Sequence, residues 1–213
     1  MKNQEKIAEF IGIMLGDGSI GIYKCKAKDK IKEHWRLKVT LDSRNKDYIN
    51  YVANLIENVL EYKPKIYYKK KENAVDICIF KREIIRYALN NIQLKISPKW
   101  NNMEIPKKFA KGKLALWVLR GLFDTDGSVT IFNNNGKNYP RIEIRISPSP
   151  DQNQVIKILQ ENKFNFKIQK LEKGKIKIRI SGKNELKEWF NRIGSSNKYY
   201  LERAKPFLSK KGL

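Results

Sequence analysis

Two stretches decide how this chain is read: Phe10-Ile11-Gly12-Ile13-Met14-Leu15-Gly16-Asp17-Gly18 and Leu119-Arg120-Gly121-Leu122-Phe123-Asp124-Thr125-Asp126-Gly127. Around the first, Ile7, Phe10, Ile11, Met14 and Leu15 recur at helical spacing and predict a helix from about Gln4 to Gly16. The second predicts a helix over about Leu114 to Asp124. Each helix carries an interior glycine, Gly12 and Gly121, which costs about 1 kcal/mol relative to alanine. A single such glycine would only make room for a bulky neighbour. Two, at the same place in two similar helices, predict a helix interface packed glycine to glycine. That packing brings the two C-terminal ends together. Both ends read Asp-Gly, and the glycine suits a left-handed cap. The acids are harder to place, because a helix C-terminus disfavours negative charge by a few tenths to about 1 kcal/mol.

Outward from these stretches, the chain reads as a repeat. After the first helix come strands at about Ser19 to Lys26 and Glu33 to Asp42, and a helix at about Asn45 to Leu60. A hairpin follows, with strands at Lys65 to Lys71 and Ala74 to Phe80 and a turn at Glu72-Asn73, then a helix at about Arg82 to Asn91. The second stretch starts the same order again. Strands are expected at Ser128 to Asn133 and Tyr139 to Ser147, and a helix at Asp151 to Asn162. A hairpin spans Phe166 to Ile180, and helices cover Asn184 to Arg192 and Lys198 to Leu208. Val75, Ile77, Ile79, Ile85 and Ile92 match Ile176, Ile178, Ile180, Leu186 and Ile193 at a constant offset of 101. The expected organisation is an α+β fold of two pseudo-symmetric repeats, 1–92 and 113–213. The Pro98- and Pro106-containing segment 93–112 joins them.

The charge identifies the partner. Lys and Arg number 45 against 22 Asp and Glu, a formal net charge of +23. Such an excess resists compaction, and a polyanion is the economical reason to carry it. No apolar run approaches the roughly 20 residues of a spanning helix, and the polar start, Met1 to Lys6, gives no expectation of a secretion signal. Cys25 and Cys78 fall in predicted strands and are expected to be buried, unpaired thiols, which suits an intracellular location. His34 is the only histidine, so zinc fingers, His-based metal nucleases and Ser-His-Asp chemistry are excluded. Carboxylates, lysines and a metal ion remain.

Asp17 and Asp126, brought together at two electronegative helix ends, call for a cation. Hard oxygen ligands with open water positions suit Mg²⁺. Mn²⁺ is expected to substitute, and Ca²⁺ to bind without supporting cleavage. Gly16 and Thr125, just before the acids, complete the candidate metal set. Metal held by two carboxylates at a phosphodiester supplies activated water and stabilises the attacking and leaving oxygens. The strands offer a surface for the duplex. Arg36, Lys38 and Thr40 alternate with Leu37, Val39 and Leu41, and Arg141, Glu143 and Arg145 with Ile142, Ile144 and Ile146. Lys175, Lys177 and Arg179 alternate with Ile176, Ile178 and Ile180. An antiparallel ribbon with such a face fits the major groove.

The paired motifs resemble those of the LAGLIDADG homing endonucleases, of the single-chain, two-motif kind. The resemblance covers the whole chain. It implies two αββαββα units whose antiparallel sheets form a DNA-binding saddle, and a metal-dependent double-strand cut at a long, site-specific target in double-stranded DNA. It places the catalytic acids at Asp17 and Asp126. It also implies a basic residue flanking the last helix of each unit, for which Lys99 and Lys198 are the candidates. The chain departs from the pattern in two places. Leu15 and Asp124 differ at equivalent positions, with Asp124 expected to cap or pack. Neither Thr40-Leu41-Asp42 nor Ser147-Pro148-Ser149 supplies the usual water-organising glutamine. An intron-encoded monomer is expected. An RNA-binding maturase acting on its own intron RNA, or a cleavage-inactive DNA-binding regulator, would use the same scaffold.

Overall fold

The computed structural model describes residues 2–27 and 30–208. The first unit runs α1 (Lys2–Gly16), β1 (Gly18–Ala27), β2 (Lys30–Asp42), α2 (Lys46–Leu60), β3 (Lys65–Tyr68), β4 (Ala74–Ile79) and α3 (Arg82–Asn90). The second repeats it as α4 (Gly112–Asp126), β5 (Gly127–Asn134), β6 (Lys137–Ile146), α5 (Asp151–Glu161), β7 (Lys167–Lys170), β8 (Ile176–Ser181) and α6 (Lys183–Arg192), then adds α7 (Lys198–Leu208). Each unit builds one antiparallel sheet of the same topology, ordered β1-β2-β4-β3 and β5-β6-β8-β7. The expected αββαββα order is therefore present twice.

Burial follows the period-2 pattern. Leu37, Val39 and Leu41 of β2 pair with Ile79, Ile77 and Val75 of β4, and all six side chains are buried. Ile142, Ile144 and Ile146 pair likewise with Ile180, Ile178 and Ile176. Arg36, Lys38 and Thr40 take the other face, as do Arg141, Glu143 and Arg145 opposite Ser181, Arg179 and Lys177. Cys78 is buried but Cys25 is exposed, contrary to expectation, because β1 is an edge strand and Cys25 pairs with Lys32 on its open face.

The units meet along α1 and α4, the most extensive helix–helix contact in the molecule. A Cβ on Gly12 would overlap the Val118 carbonyl oxygen and stand 2.7 Å from Leu122 N. A Cβ on Gly121 would overlap the Glu9 carbonyl oxygen and stand 2.8 Å from Ile13 N. The helices thus touch backbone to backbone, as the two interior glycines predict. Phe10, Ile11 and Ile13 of α1 and Val118, Leu119 and Leu122 of α4 seal the seam within one continuous core.

The Asp-Gly ends differ from expectation. Gly127 is extended (φ −97°, ψ 174°) and not left-handed, and its N–H reaches Phe123 O. A side chain on Gly127 would strike Phe123, and one on Gly18 would strike Met14. These glycines let a strand leave directly against the last helical turn. The connecting segment is also no free tether. Leu94, Met103, Ile105 and Phe109 are buried in the core. No helix among the described residues is long and apolar enough to cross a membrane.

Gly12→Ala or Gly121→Ala should lower unfolding stability by about 1–3 kcal/mol or more, since backbone must move to admit the methyl group. Urea melts check this. Stabilisation, as helix propensity alone dictates, would contradict the backbone contact.

Candidate active site

The seam delivers both acids to one place. Asp17 follows the last residue of α1, and Asp126 ends α4. A Cβ on Gly16 would lie 3.5 Å from Asp126 Cγ and 2.8 Å from Thr125 Cβ, so Asp126 sits beside the end of the opposite helix. Burial, and after it the Asp126 charge, push the Asp17 carboxyl up to about 6 against the opposing pull of Lys99. Asp126 has an exposed side chain. The cleft walls still strip enough water to raise its pKa, against the pull of Lys99 and Lys175.

Lys99 reaches this site from the connecting segment. Its Nζ donates to the Leu15 carbonyl oxygen at 2.8 Å and to that of Gly16, the last carbonyls of α1. Burial lowers its pKa, while Asp126, Asp17 and Asp151 act to raise it. Lys198 does not share the site. It is exposed and its Nζ donates to Asp47 Oδ2 at 2.8 Å. Two residues on, Tyr200 donates its hydroxyl to Gly127 O at 2.7 Å, at the end of α4. The structural counterpart of Lys99 is therefore Tyr200, and the candidate Lys198 is corrected accordingly.

Two further metal candidates are engaged within the protein. The Gly16 carbonyl is held by Lys99, and Thr125 Oγ1 turns back into its own helix, donating to Gly121 O or Leu122 O at 3.0 and 3.1 Å. Thr125 thereby spaces the two helix ends, packed against Gly16. Among the described residues, no group of three or more His, Cys, Asp or Glu is placed to hold a metal. The protein therefore offers a pair of carboxylates, which fits a hard cation that takes its other positions from phosphate and water.

The surroundings of the two acids differ. A pocket of about 520 Å³ opens beside Asp17, lined among others by Asp42, Arg44, Asn45, Tyr199 and Tyr200. Arg44 Nε donates to Asp42 Oδ1 at 2.9 Å, and these bonds hold the exposed Asp42 carboxyl down at about 2. Beside Asp126 stand Lys99, Lys175 and the buried Asp151. Sequence reading assigned Asp151 only to a helix start, and no local signal tells that it would face this site. Lys175 also lies near Asp126. Its charge reaches that acid and its Nζ lies 5.6 Å from the Trp100 ring centroid, which puts it at the site's edge.

Asp124 packs, as its unlikeness to Leu15 suggested. It is buried, accepting Ser195 Oγ at 2.5 Å and Ser196 N–H at 2.7 Å. Burial pushes its carboxyl up to about 7. Ser196 Oγ also bonds buried Glu9 at 2.5 Å, tying the loop before α7 to both seam helices.

The open sheet faces carry linked charges. Thr40 Oγ1 donates to Asp76 at 2.7 Å, with Lys38 Nζ 3.7 Å from the same carboxylate. Arg179 Nε donates to Glu143 at 2.9 Å and its NH2 group to Gln169 at 3.2 Å, with Lys177 3.9 Å from Glu143. Arg36 donates to Tyr23 Oη at 3.1 Å, Arg141 lies 5.0 Å from the Phe132 ring centroid, and Arg145 is exposed.

The family model for the LAGLIDADG DNA endonuclease family matches residues 8–187, and the chain belongs to that family. No curated protein matches the chain by sequence. Several solved structures share the fold. One is the homing endonuclease I-DmoI, at 18% identity and TM-score 0.64, covering 91% of this chain and 97% of that one. I-DmoI has also been solved in complex with DNA and Mn, at 19% identity and TM-score 0.62, covering 91% of this chain and 98% of that one. I-LtrWI bound to target DNA matches at 13% identity and TM-score 0.67, over 96% of this chain and 90% of that one. The molecule is thus a two-repeat LAGLIDADG fold.

Asp17, Asp124 and Asp151 carry raised folded-state pKa values of about 6, 7 and 7. Between about pH 4 and 7 the folded state therefore holds more protons than the unfolded state. Their contribution to stability falls as pH rises through that window. Asp42, held low, changes only below it. In chelator, Asp124→Asn should flatten this decline in urea melts between about pH 4.5 and 7. An unchanged slope would show that Asp124 does not titrate there.

Proposed function

We propose that this protein is a site-specific homing endonuclease that makes double-strand cuts in a long DNA target, using Mg²⁺ or Mn²⁺. The observation that carries this reading is the convergence of Asp17 and Asp126 at the ends of two helices locked glycine to glycine. A pure DNA binder gains nothing from two carboxylates where phosphates must approach, which counts against a regulator. That I-DmoI was solved in complex with DNA and Mn supports the use of a divalent cation.

Asp17 and Asp126 would hold the cation, which supplies an activated water and stabilises charge on the attacking and leaving oxygens. Lys99, directed by the last carbonyls of α1, brings positive charge to the phosphate without needing the metal. The two sheet faces carry Arg36, Lys38 and Thr40 in one unit and Arg141, Arg145, Lys177 and Arg179 in the other, and would follow the major groove on either side. Both acids lie on one chain, so a monomer carries the complete centre. Intron homing is the role we assign to this activity.

Asp17→Asn or Asp126→Asn should abolish double-strand cleavage while DNA binding persists, read by cutting of a target library and by gel shift. Undiminished cutting by either variant would sink the assignment. Lys99→Met should lower the cleavage rate by about a hundredfold. Lys198→Met should leave it within about twofold, as expected of an exposed ion pair. Affinity should fall about a thousandfold or more between about 50 and 200 mM salt. A flat response would remove the phosphate-contact argument.

A further inference from the structure

Asp151 opens α5 with only 3% of its surface exposed. Its Oδ1 meets no hydrogen-bond donor among the described residues. An acid is welcome in a first helical turn, but that role requires neither burial nor an orphaned oxygen. The side-chain charges that reach Asp151 are those of Lys99 and Asp126, and the nearby donors are its own N–H and that of Gln152.

The corner that carries Asp151 also grips the chain that carries Lys99. Ser149 Oγ donates to Lys99 O at 2.7 Å, Asn101 N–H to Pro148 O at 2.7 Å, and Asp151 N–H to Met103 O at 3.1 Å. Gln154 brackets Ile105, accepting its N–H at 2.6 Å and donating to its carbonyl at 2.8 Å. One structural unit therefore fixes both the lysine's backbone and a carboxylate within reach of its charge. The other unit gives an internal comparison. Buried Tyr48, Val52, Leu55 and Ile56 of α2 have the spacing of Asp151, Val155, Ile158 and Leu159 of α5. Tyr48 thus stands where Asp151 does, and the tail that meets its helix start, the second unit's, delivers Tyr200 in place of a lysine. The acid accompanies the lysine.

We infer that Asp151 is a positioning residue whose charge, acting without a direct ion pair, holds the Lys99 ammonium in place at the end of α1. This rests on the nuclease reading of the site. In the free protein Asp17 and Asp126 also compensate Lys99. Once a cation and phosphates engage them, their charge is shared, and a desolvated ammonium needs another counter-charge to stay in place. Asp151 is walled off from that competition by its burial.

A double-mutant cycle tests this with wild type, Asp151→Asn, Lys99→Met and the double variant. In single-turnover cleavage, Asp151→Asn should slow cutting about tenfold, as loss of an outer-shell partner does. DNA affinity should stay within about twofold, since Asp151 is buried away from phosphate. With Met at position 99 the same substitution should add nothing. An equal further loss in that background, or no loss with Lys99 present, would overturn the inference. Should Asp151→Asn fail to fold, Asp151→Ser, which keeps an acceptor at the helix start, takes its place. Urea melts of the same proteins without DNA or metal should show non-additive effects. If the wild type cuts nothing, the nuclease reading fails, and the melts still decide: additivity overturns the coupling.

Discussion

The contact between Gly12 and Gly121 is the constraint on which the rest depends. At this crossing each glycine faces opposing backbone, with the Val118 carbonyl over one and the Glu9 carbonyl over the other. Any wider seam would part the helix ends. The acids sit at those ends, so their proximity is set by backbone dimensions and not by flexible side chains. Helix ends are also where acids are least welcome. The fold thus uses a backbone-to-backbone contact to enforce an unfavourable charge arrangement. Natural sequences tolerate such local conflict mainly at functional sites.

Backbone symmetry does not extend to the chemistry, and covalent connectivity explains why. Each unit's last helix is followed by a tail that returns to the end of its own motif helix. The first tail must continue to α4, so it crosses the second unit's β6–α5 corner and delivers Lys99 to Leu15 and Gly16. The second tail folds into α7 and delivers Tyr200 to Gly127. Two equivalent tasks, holding a helix end, are met by an ammonium and a phenol. Only the ammonium needs a buried counter-charge, and Asp151 lies on that side alone. Leu15 against Asp124 follows the same logic, because only the second tail supplies Ser195 and Ser196 as donors.

What the sequence made legible is what short-range rules govern. The periodicities gave the helices and strands to within a few residues, and the repeat gave the two sheets. Two interior glycines gave the seam, and from it the convergence of Asp17 and Asp126. What escaped depends on contacts across long separations. Proximity to a helix points to Lys198, but Asp47, 151 residues away in sequence, holds it in solvent. Asp151 carried only the ordinary signal of a helix start. Gly18 and Gly127 suggested a left-handed cap, whereas crowding by Met14 and Phe123 is the actual demand. Strand periodicity places Cys25 in β1 but carries no sign that β1 is an edge strand, where Cys25 is exposed.

The charge distribution joins these points. A chain of net charge +23 collects Glu9, Asp17, Asp124 and Asp151 along or beside one seam, each with a pKa raised by burial. The open sheet faces are basic, and the line between them is acidic. On the nuclease reading these opposites divide the work of binding. The faces draw a duplex in through its phosphates, at long range and with strong salt dependence. The acidic line resists the last approach of the phosphates directly above it. That repulsion is relieved only by positive charge placed between carboxylate and phosphate, which a divalent cation and Lys99 can provide. Docking and cutting then have different electrostatic requirements within one surface, so a duplex can be held along the saddle before the scissile phosphates are seated.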